Sequence, residues 1–216
     1  MFSYRSLGAL LIAAGLALGG LVAWTVADPL AGHRQHALQQ ELQQSWAARK
    51  PIPAAHKPVQ PVPAAEACTD NLGSLRPSQP FALMTIPAFG SHWKFAVVEG
   101  TTLAQLALGP GHITGTSMPG GANFGVAAHD ITAGNPFVGL KSLKAGDDIY
   151  VRTANCLYDY QVTGKPFVVQ YTDVNVLKPI TGKRFITLVT CTPVTLVFTP
   201  WRVIVHGKLV SSARWR

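Results

Sequence analysis

The pattern of apolar and polar positions divides the chain into three stretches of different character. Leu7 to Ala27 is apolar, small or uncharged throughout, and Asp28-Pro29 closes the run. At about 1.5 Å per residue, a helix of that length spans the roughly 30 Å hydrocarbon core of a bilayer. The run exceeds the about 7–15 apolar residues usual in a cleaved signal peptide. A retained anchor is therefore expected, with Arg5 on the cytoplasmic side. Between residues 30 and 50, Leu38, Leu42 and Trp46 recur among good helix formers, which predicts a short juxtamembrane helix. Pro51, Pro53, Pro58, Pro61 and Pro63 then favour an extended, semi-stiff spacer. The expected organisation is a cytoplasmic end and transmembrane anchor over residues 1–27, a Pro/Ala-rich stalk over 28–80 and a folded domain over 81–216.

From Phe81 onward the period changes. Phe81–Ile86, Phe95–Val98, Phe124–Ala128, Asp148–Val151, Leu157–Val162, Phe167–Tyr171, Phe185–Val189 and Trp201–Val205 are short runs rich in Val, Ile, Phe, Tyr and Thr. They read as strands. Gly, Pro, Asn and Asp punctuate them, as at Gly109-Pro110-Gly111 and Pro119-Gly120-Gly121. Thr101–Leu106, opened by a Thr suited to an N-cap, and Pro136–Leu143 read as short helices. Eight short strands with few helices predict an all-β domain, a closed barrel or a sandwich.

Composition narrows the partners. The net charge is +8, and residues 81–216 hold 12 Lys/Arg against 6 Asp/Glu. Such a field attracts nucleic acid, anionic lipid or an anionic wall polymer. No Lys/Arg cluster interleaves with aromatics, so nucleic acid is not an expected partner. The three cysteines, Cys68, Cys156 and Cys191, form no C-x-x-C pair, which excludes a zinc pattern and a disulfide framework. Cys68 and Cys156 are candidates for a bridge outside the cytoplasm. The remaining histidines show no ligand spacing, no carboxylate cluster points to calcium, and Gly120–Gly125 lacks the Lys-Ser/Thr ending of a phosphate loop. No metal or cofactor is expected.

The chemistry therefore rests on single residues. Phe185–Val189 alternates as a strand and delivers Cys191 at its end, with Pro193 stopping the ladder. A nucleophilic thiol needs a base or a positive neighbour to reach its thiolate form. His129 follows the strand Phe124–Ala128, and Arg202 opens the last strand. His129 suits general acid and base work, and Arg202, which keeps its proton, suits oxyanion or substrate stabilisation.

Thr187-Leu188-Val189-Thr190-Cys191 resembles the sortase signature Thr-Leu-x-Thr-Cys, and the order His129, Cys191, Arg202 resembles the sortase His–Cys–Arg order. Gly109-Pro110-Gly111-His112-Ile113-Thr114-Gly115-Thr116-Ser117-Met118-Pro119-Gly120 looks like a segment of actinobacterial-type housekeeping (class E-like) sortases. The resemblance covers about residues 81–210. It implies an eight-stranded β-barrel with Cys191, His129 and Arg202 around a groove. It also implies a cysteine transpeptidase that cuts a Leu-Pro-x-Thr-Gly-like or Leu-Ala-x-Thr-Gly-like sorting signal after Thr through a thioester. The expected partners are secreted proteins bearing that signal, an amine of a cell wall precursor or of a pilin, and the membrane through the N-terminal helix. The expected location is the cell membrane, single-pass, with the catalytic domain outside. Thr190 carries over as a substrate or oxyanion neighbour, and His112 lies near the implied groove.

Two departures stand out. The family often has Gly-His-Arg where this chain has Ala128-His129-Asp130, so a carboxylate that either raises the His pKa or faces solvent replaces a cation. The stretch from Thr192 to Trp201 is unusually apolar, fit to line a peptide groove or to pack on the barrel. A hydrolase that only cuts, and a non-catalytic wall-binding barrel, are the competing readings.

Overall fold

In the computed structural model, residues 32–46, 68, 70–192 and 199–214 are described. Among the described residues nine strands form one sheet: β1 (Pro80–Thr85), β2 (Lys94–Glu99), β3 (Gly111–His112), β4 (Asn123–Ala127), β5 (Asp148–Arg152), β6 (Cys156–Val162), β7 (Phe167–Gln170), β8 (Phe185–Thr192) and β9 (Trp201–Arg214). Their order is β6-β5-β1-β2-β3-β4-β8-β9-β7, and β6 also pairs with β9. That pairing closes β6, β5, β1, β2, β3, β4, β8 and β9 into an eight-stranded barrel, with β7 attached outside the ring. Closure removes the exposed edges that an open sheet would carry.

The alternation of the sequence is what fills the barrel. Cys156, Tyr158, Tyr160 and Val162 of β6 point inward, while Leu157, Asp159 and Gln161 do not. Met84, Phe124, Ile149, Ile186 and Leu188 join them in the core, each fully buried. The expected all-β barrel is therefore present, with two differences in its parts. Phe167–Gln170 is the strand outside the ring, and Gly111–His112 completes the ring in its place. Two residues flanked by Gly and Pro show no alternation, so β3 carried no strand signal.

The expected helices are shorter than their patterns. The first is α2 (Leu103–Leu106), capped by Thr102 rather than Thr101. Thr102 and Gln105 form a capping box, each side chain bonded to the other's backbone amide. Pro136–Leu143 holds only a 3-10 turn, Leu140–Ser142. Phe137, Val138 and Gly139 are poor helix formers, and Gly139 is pressed against the Phe89 ring, where a Cβ would come within 2.7 Å.

The predicted juxtamembrane helix is α1, residues 32–46, and it is docked on the barrel. Gln35 is buried; its Oε1 accepts from Ala96 N at 2.8 Å and its Nε2 donates to the carbonyl of Leu108. Gln39 Nε2 donates to Lys94 O at 3.1 Å, and Arg152 lies over the Trp46 ring at 4.7 Å. Gln35, Leu38, Gln39, Leu42 and Trp46 make one stripe of a helix, so α1 crosses β2 and reaches β5. Further along, Cys68 is disulfide-bonded to Cys156 with Cα atoms 5.9 Å apart, and Asp70 accepts from Asn155 Nδ2 at 2.6 Å. Two parts of the expected stalk are thus fastened to the domain rather than standing free of it. The expected membrane span lies outside the described residues, among which no helix is long and apolar enough to cross a membrane.

Candidate active site

The site is built at the end of β8. β8 and β9 run antiparallel with Cys191 opposite Arg202. Opposed residues in such a pair share a face, with Cβ atoms about 4.5–5.5 Å apart. β7 pairs on the other side of β9 with Val169 opposite Arg202, so Cys191, Arg202 and Val169 form a row across three strands. Ile186, Leu188, Thr190 and Thr192 take the inward positions of β8 and are buried. Cys191 alternates to the other face, where it is half-buried and free.

The guanidinium of Arg202 is held at the entry of β9. Its Nη1 donates to Thr199 O at 2.7 Å and Trp201 O at 2.8 Å, and the Tyr171 ring lies 5.8 Å away. Phe167, two residues before Val169 on β7, and Tyr171, whose ring lies beside Arg202, are exposed next to this row.

His129 arrives from the opposite flank. β4 and β8 are parallel, with Ala127 level with Val189. Beyond that last pair the strands stay joined: Ala128 N donates to Val189 O at 3.1 Å, and Thr190 Oγ1 donates to Ala128 O at 2.8 Å. Carrying the register two residues further brings His129 level with Cys191. His129 O accepts from Phe137 N at 3.0 Å, which folds the following loop back under it. Burial holds the imidazole pKa below its usual value, so the ring is neutral at pH 7.

Asp130 does neither of the two things left open by its position. It is 8% exposed, so it does not face solvent, and burial is what shifts His129, downward rather than upward. Burial raises the Asp130 pKa, and the charge of Lys141 opposes that rise. Lys141 Nζ also donates to Thr192 Oγ1 at 2.5 Å. No sequence signal exposed this lysine, since nothing in its neighbourhood of Leu140 and Leu143 names a partner fifty residues away.

A thiol, an imidazole and a guanidinium thus converge on one strand end. A family model described as Sortase domain matches residues 84–210. The chain belongs to the sortase family. It is 34% identical over 155 residues to Sortase SrtE1 of Streptomyces coelicolor, an alignment that covers 64% of this chain and 42% of that protein. The chain therefore spans less than half of that relative's length. Sortase E from Streptomyces avermitilis superposes with a TM-score of 0.58 at 33% identity, covering 64% of this chain and 93% of that one. Sortase E1 from Streptomyces coelicolor, solved with a tripeptide in the active site, superposes with a TM-score of 0.56 at 32% identity over 65% of this chain and 94% of that one. These likenesses bear out the resemblance to class E-like sortases.

Within this sortase, the Gly-Pro-Gly-His segment serves the fold. His112 is buried; its Nδ1 lies 2.6 Å from Glu99 Oε2 and its Nε2 lies 3.0 Å from Thr116 Oγ1. Both ring nitrogens are engaged, and the ring sits between Phe81 and Phe124. The structure does not bring it out to the groove with Cys191. A Cβ at Gly109 would overlap the Gln35 amide, so this glycine admits α1. Gly120 has φ 79°, donates to Tyr160 Oη at 2.6 Å, and leaves no space for a Cβ against the Tyr158 ring. Thr190 is likewise buried, with its hydroxyl committed to Ala128. The apolar stretch between Thr192 and Thr199 lies outside the described residues.

Proposed function

We propose that this sortase is a cysteine transpeptidase that cuts a Leu-Pro-x-Thr-Gly-like or Leu-Ala-x-Thr-Gly-like sorting signal after Thr and passes the new carboxyl end to an amine. The observation that carries the reading is the row Cys191–Arg202–Val169, with His129 brought level with Cys191 just beyond the end of β4. His129, neutral at rest, takes the Cys191 proton, the thiolate attacks the Thr carbonyl carbon, and Arg202 stabilises the oxyanion. The C–N bond breaks as His129 gives a proton to the departing glycine amine, leaving a thioester. An acceptor amine then attacks the thioester, His129 takes its proton, the Cys191 thiolate leaves as the new amide forms, and the imidazolium returns the proton to it. The tripeptide held in the active site of the Streptomyces coelicolor sortase E1 supports a peptide substrate. Phe167 and Tyr171, exposed next to the row, suit the apolar end of such a signal.

The acceptor is an amine of a cell wall precursor or of another protein, and the enzyme is anchored in the membrane by Leu7–Ala27 with its barrel outside. The Cys68–Cys156 bridge supports an oxidising, extracytoplasmic setting. Gln35, which bonds to the barrel, lies eight residues after Ala27, and at most about 3.6 Å per residue this keeps its docking point within about 29 Å of the membrane boundary. The barrel is thus held close to the surface where lipid-linked precursors reside.

The test incubates the full-length enzyme with a quenched peptide of each signal and a glycine-type or diamino acceptor, with Cys191→Ala alongside. Ligated product that disappears in Cys191→Ala is the expected result. Cleavage with no ligation to any acceptor would make the enzyme a hydrolase, and an inert Cys191 would leave a binding barrel.

A further inference from the structure

We infer that Thr199 is a positioning residue for the Cys191–Arg202 pair, its hydroxyl fastening the segment that cradles the Arg202 guanidinium to the residue after Cys191. This rests on the reading of Cys191 and Arg202 as nucleophile and oxyanion group. Thr199 and Thr192 are both buried. The Thr199 hydroxyl donates to Thr192 O and accepts from Trp201 N at 3.3 Å. Thr192 and Trp201 are the last ladder pair of β8 and β9, next to Cys191 and Arg202, so one hydroxyl bridges the two strands where their ladder ends. The backbone carbonyl of the same residue accepts from Arg202 Nη1 at 2.7 Å. A single threonine therefore bonds to the chain neighbour of the thiol and to the guanidinium itself.

The three residues before Arg202 make a cradle whose carbonyls are all engaged. Thr199 O and Trp201 O both accept from Arg202 Nη1, and Pro200 O accepts from Tyr171 N at 2.7 Å. Pro200 has a fixed φ and no N–H, so it stiffens the cradle without donating to either neighbouring strand. The cradle is tied to the residue after β7 through Pro200 and to β8 through the Thr199 hydroxyl. A half-buried arginine has many rotamers open to it, and the place of its carbonyl acceptors decides where its remaining N–H groups point. Loss of the hydroxyl removes a buried donor from Thr192 O and frees the cradle to shift against Cys191. A displacement of about 1 Å at such a site costs up to about a hundredfold in rate.

The experiment uses the full-length enzyme and the variants Thr199→Val, Thr199→Ser, Arg202→Lys and the Thr199→Val/Arg202→Lys double. Turnover of the quenched peptide gives kcat and KM, measured well below the lowest Tm of the set. Amide hydrogen exchange over residues 199–204 is followed on the same proteins without peptide. Thr199→Val should lower kcat by about ten- to a hundredfold with KM within about twofold. Thr199→Ser, which keeps the hydroxyl, should retain most of the activity. In the Arg202→Lys background, Thr199→Val should cost less than about threefold more, because the guanidinium it positions is already gone. Exchange over residues 199–204 should quicken in Thr199→Val and stay as in wild type in Thr199→Ser. A Thr199→Val loss that multiplies in full onto Arg202→Lys would overturn the proposal, since a merely structural threonine acts independently of the guanidinium. So would a wild-type kcat in Thr199→Val, or exchange that the substitution leaves unchanged. A wild type that turns over neither peptide would refute the transpeptidase reading, and the exchange comparison would then decide the bridge by itself.

Discussion

The hydroxyl of Thr190 donates to the carbonyl of Ala128 at 2.8 Å, joining the strand that carries Cys191 to the strand that leads into His129. The bond is buried, and it lies one residue before each member of the pair. Thr190→Val keeps the shape and removes the donor, leaving a buried carbonyl unsatisfied at about 1–3 kcal/mol. The expected outcome is a lower Tm together with a kcat/KM reduced by about tenfold or more as the register of His129 loosens. A variant with wild-type stability and rate would show that the bond registers nothing.

Arg202 is fixed by two carbonyls, Thr199 O and Trp201 O, before any substrate arrives. A guanidinium held this way keeps further N–H groups for an oxyanion, whereas an ammonium offers no planar fork. Arg202→Lys should therefore cut kcat/KM by about 10²–10³-fold while alkylation of Cys191 still proceeds. Retained peptide turnover in Arg202→Lys would remove the oxyanion role.

The docking of α1 depends on one buried amide. Gln35→Ala deletes both its bond to Ala96 N and its bond to the Leu108 carbonyl. Residues 32–46 should then become sensitive to limited proteolysis and exchange their amide hydrogens faster, with the barrel core protected as before. Equal protection in wild type and variant would mean that Gln35 does not hold the helix.

The Cys68–Cys156 bridge closes a sequence separation of 88 residues. A loop of that size contributes about 3–5 kcal/mol through the unfolded chain, or roughly 10 °C in Tm for a domain of this size. Reductant should lower the wild-type Tm to that of Cys68→Ser/Cys156→Ser and leave the double variant unmoved. A reductant-insensitive Tm would show the two thiols unpaired.

Asp159 faces Tyr150 across β5 and β6, and burial followed by the charge of Asp148 pushes its carboxyl up to about 6. The folded state then binds this proton more readily than the unfolded state, whose ordinary value is 3.8. Asp159 thus contributes stability below its unfolded value that is lost as pH rises through about 6. Asp159→Asn should raise Tm by about 1–2 °C at pH 7.5, a gain reduced by the partial exposure of the site, and by nothing near pH 4. A gain of equal size at both pH values would exclude the titration as its cause.

Much of this was legible in the chain because it depends on near neighbours. Period-two alternation in Cys156–Val162 and Phe185–Thr192 commits alternate residues to a core, and that is enough to call strands and place Cys191 at a strand end. The order of His129, Cys191 and Arg202, with the Thr-Leu-x-Thr-Cys motif, was enough to name a family. What depends on pairs far apart in sequence was not legible. The two-residue β3 becomes a strand because β2 and β4 flank it. Thr190 and His112 read as groove residues by position, yet burial against Ala128 and Glu99 commits their polar atoms elsewhere. α1 reads as juxtamembrane from its periodicity, and only the space left by Gly109 lets Gln35 reach the barrel. Lys141 carries no motif at all. Its partner comes from the fold, which closes fifty residues of chain to bring its ammonium to Thr192. The sequence by itself determined the alternation, the place of Cys191 at a strand end and the family, because these are properties of local order. The tertiary structure decided which polar groups are committed and which remain free for chemistry, because desolvation and hydrogen bonding are settled by whatever packs alongside.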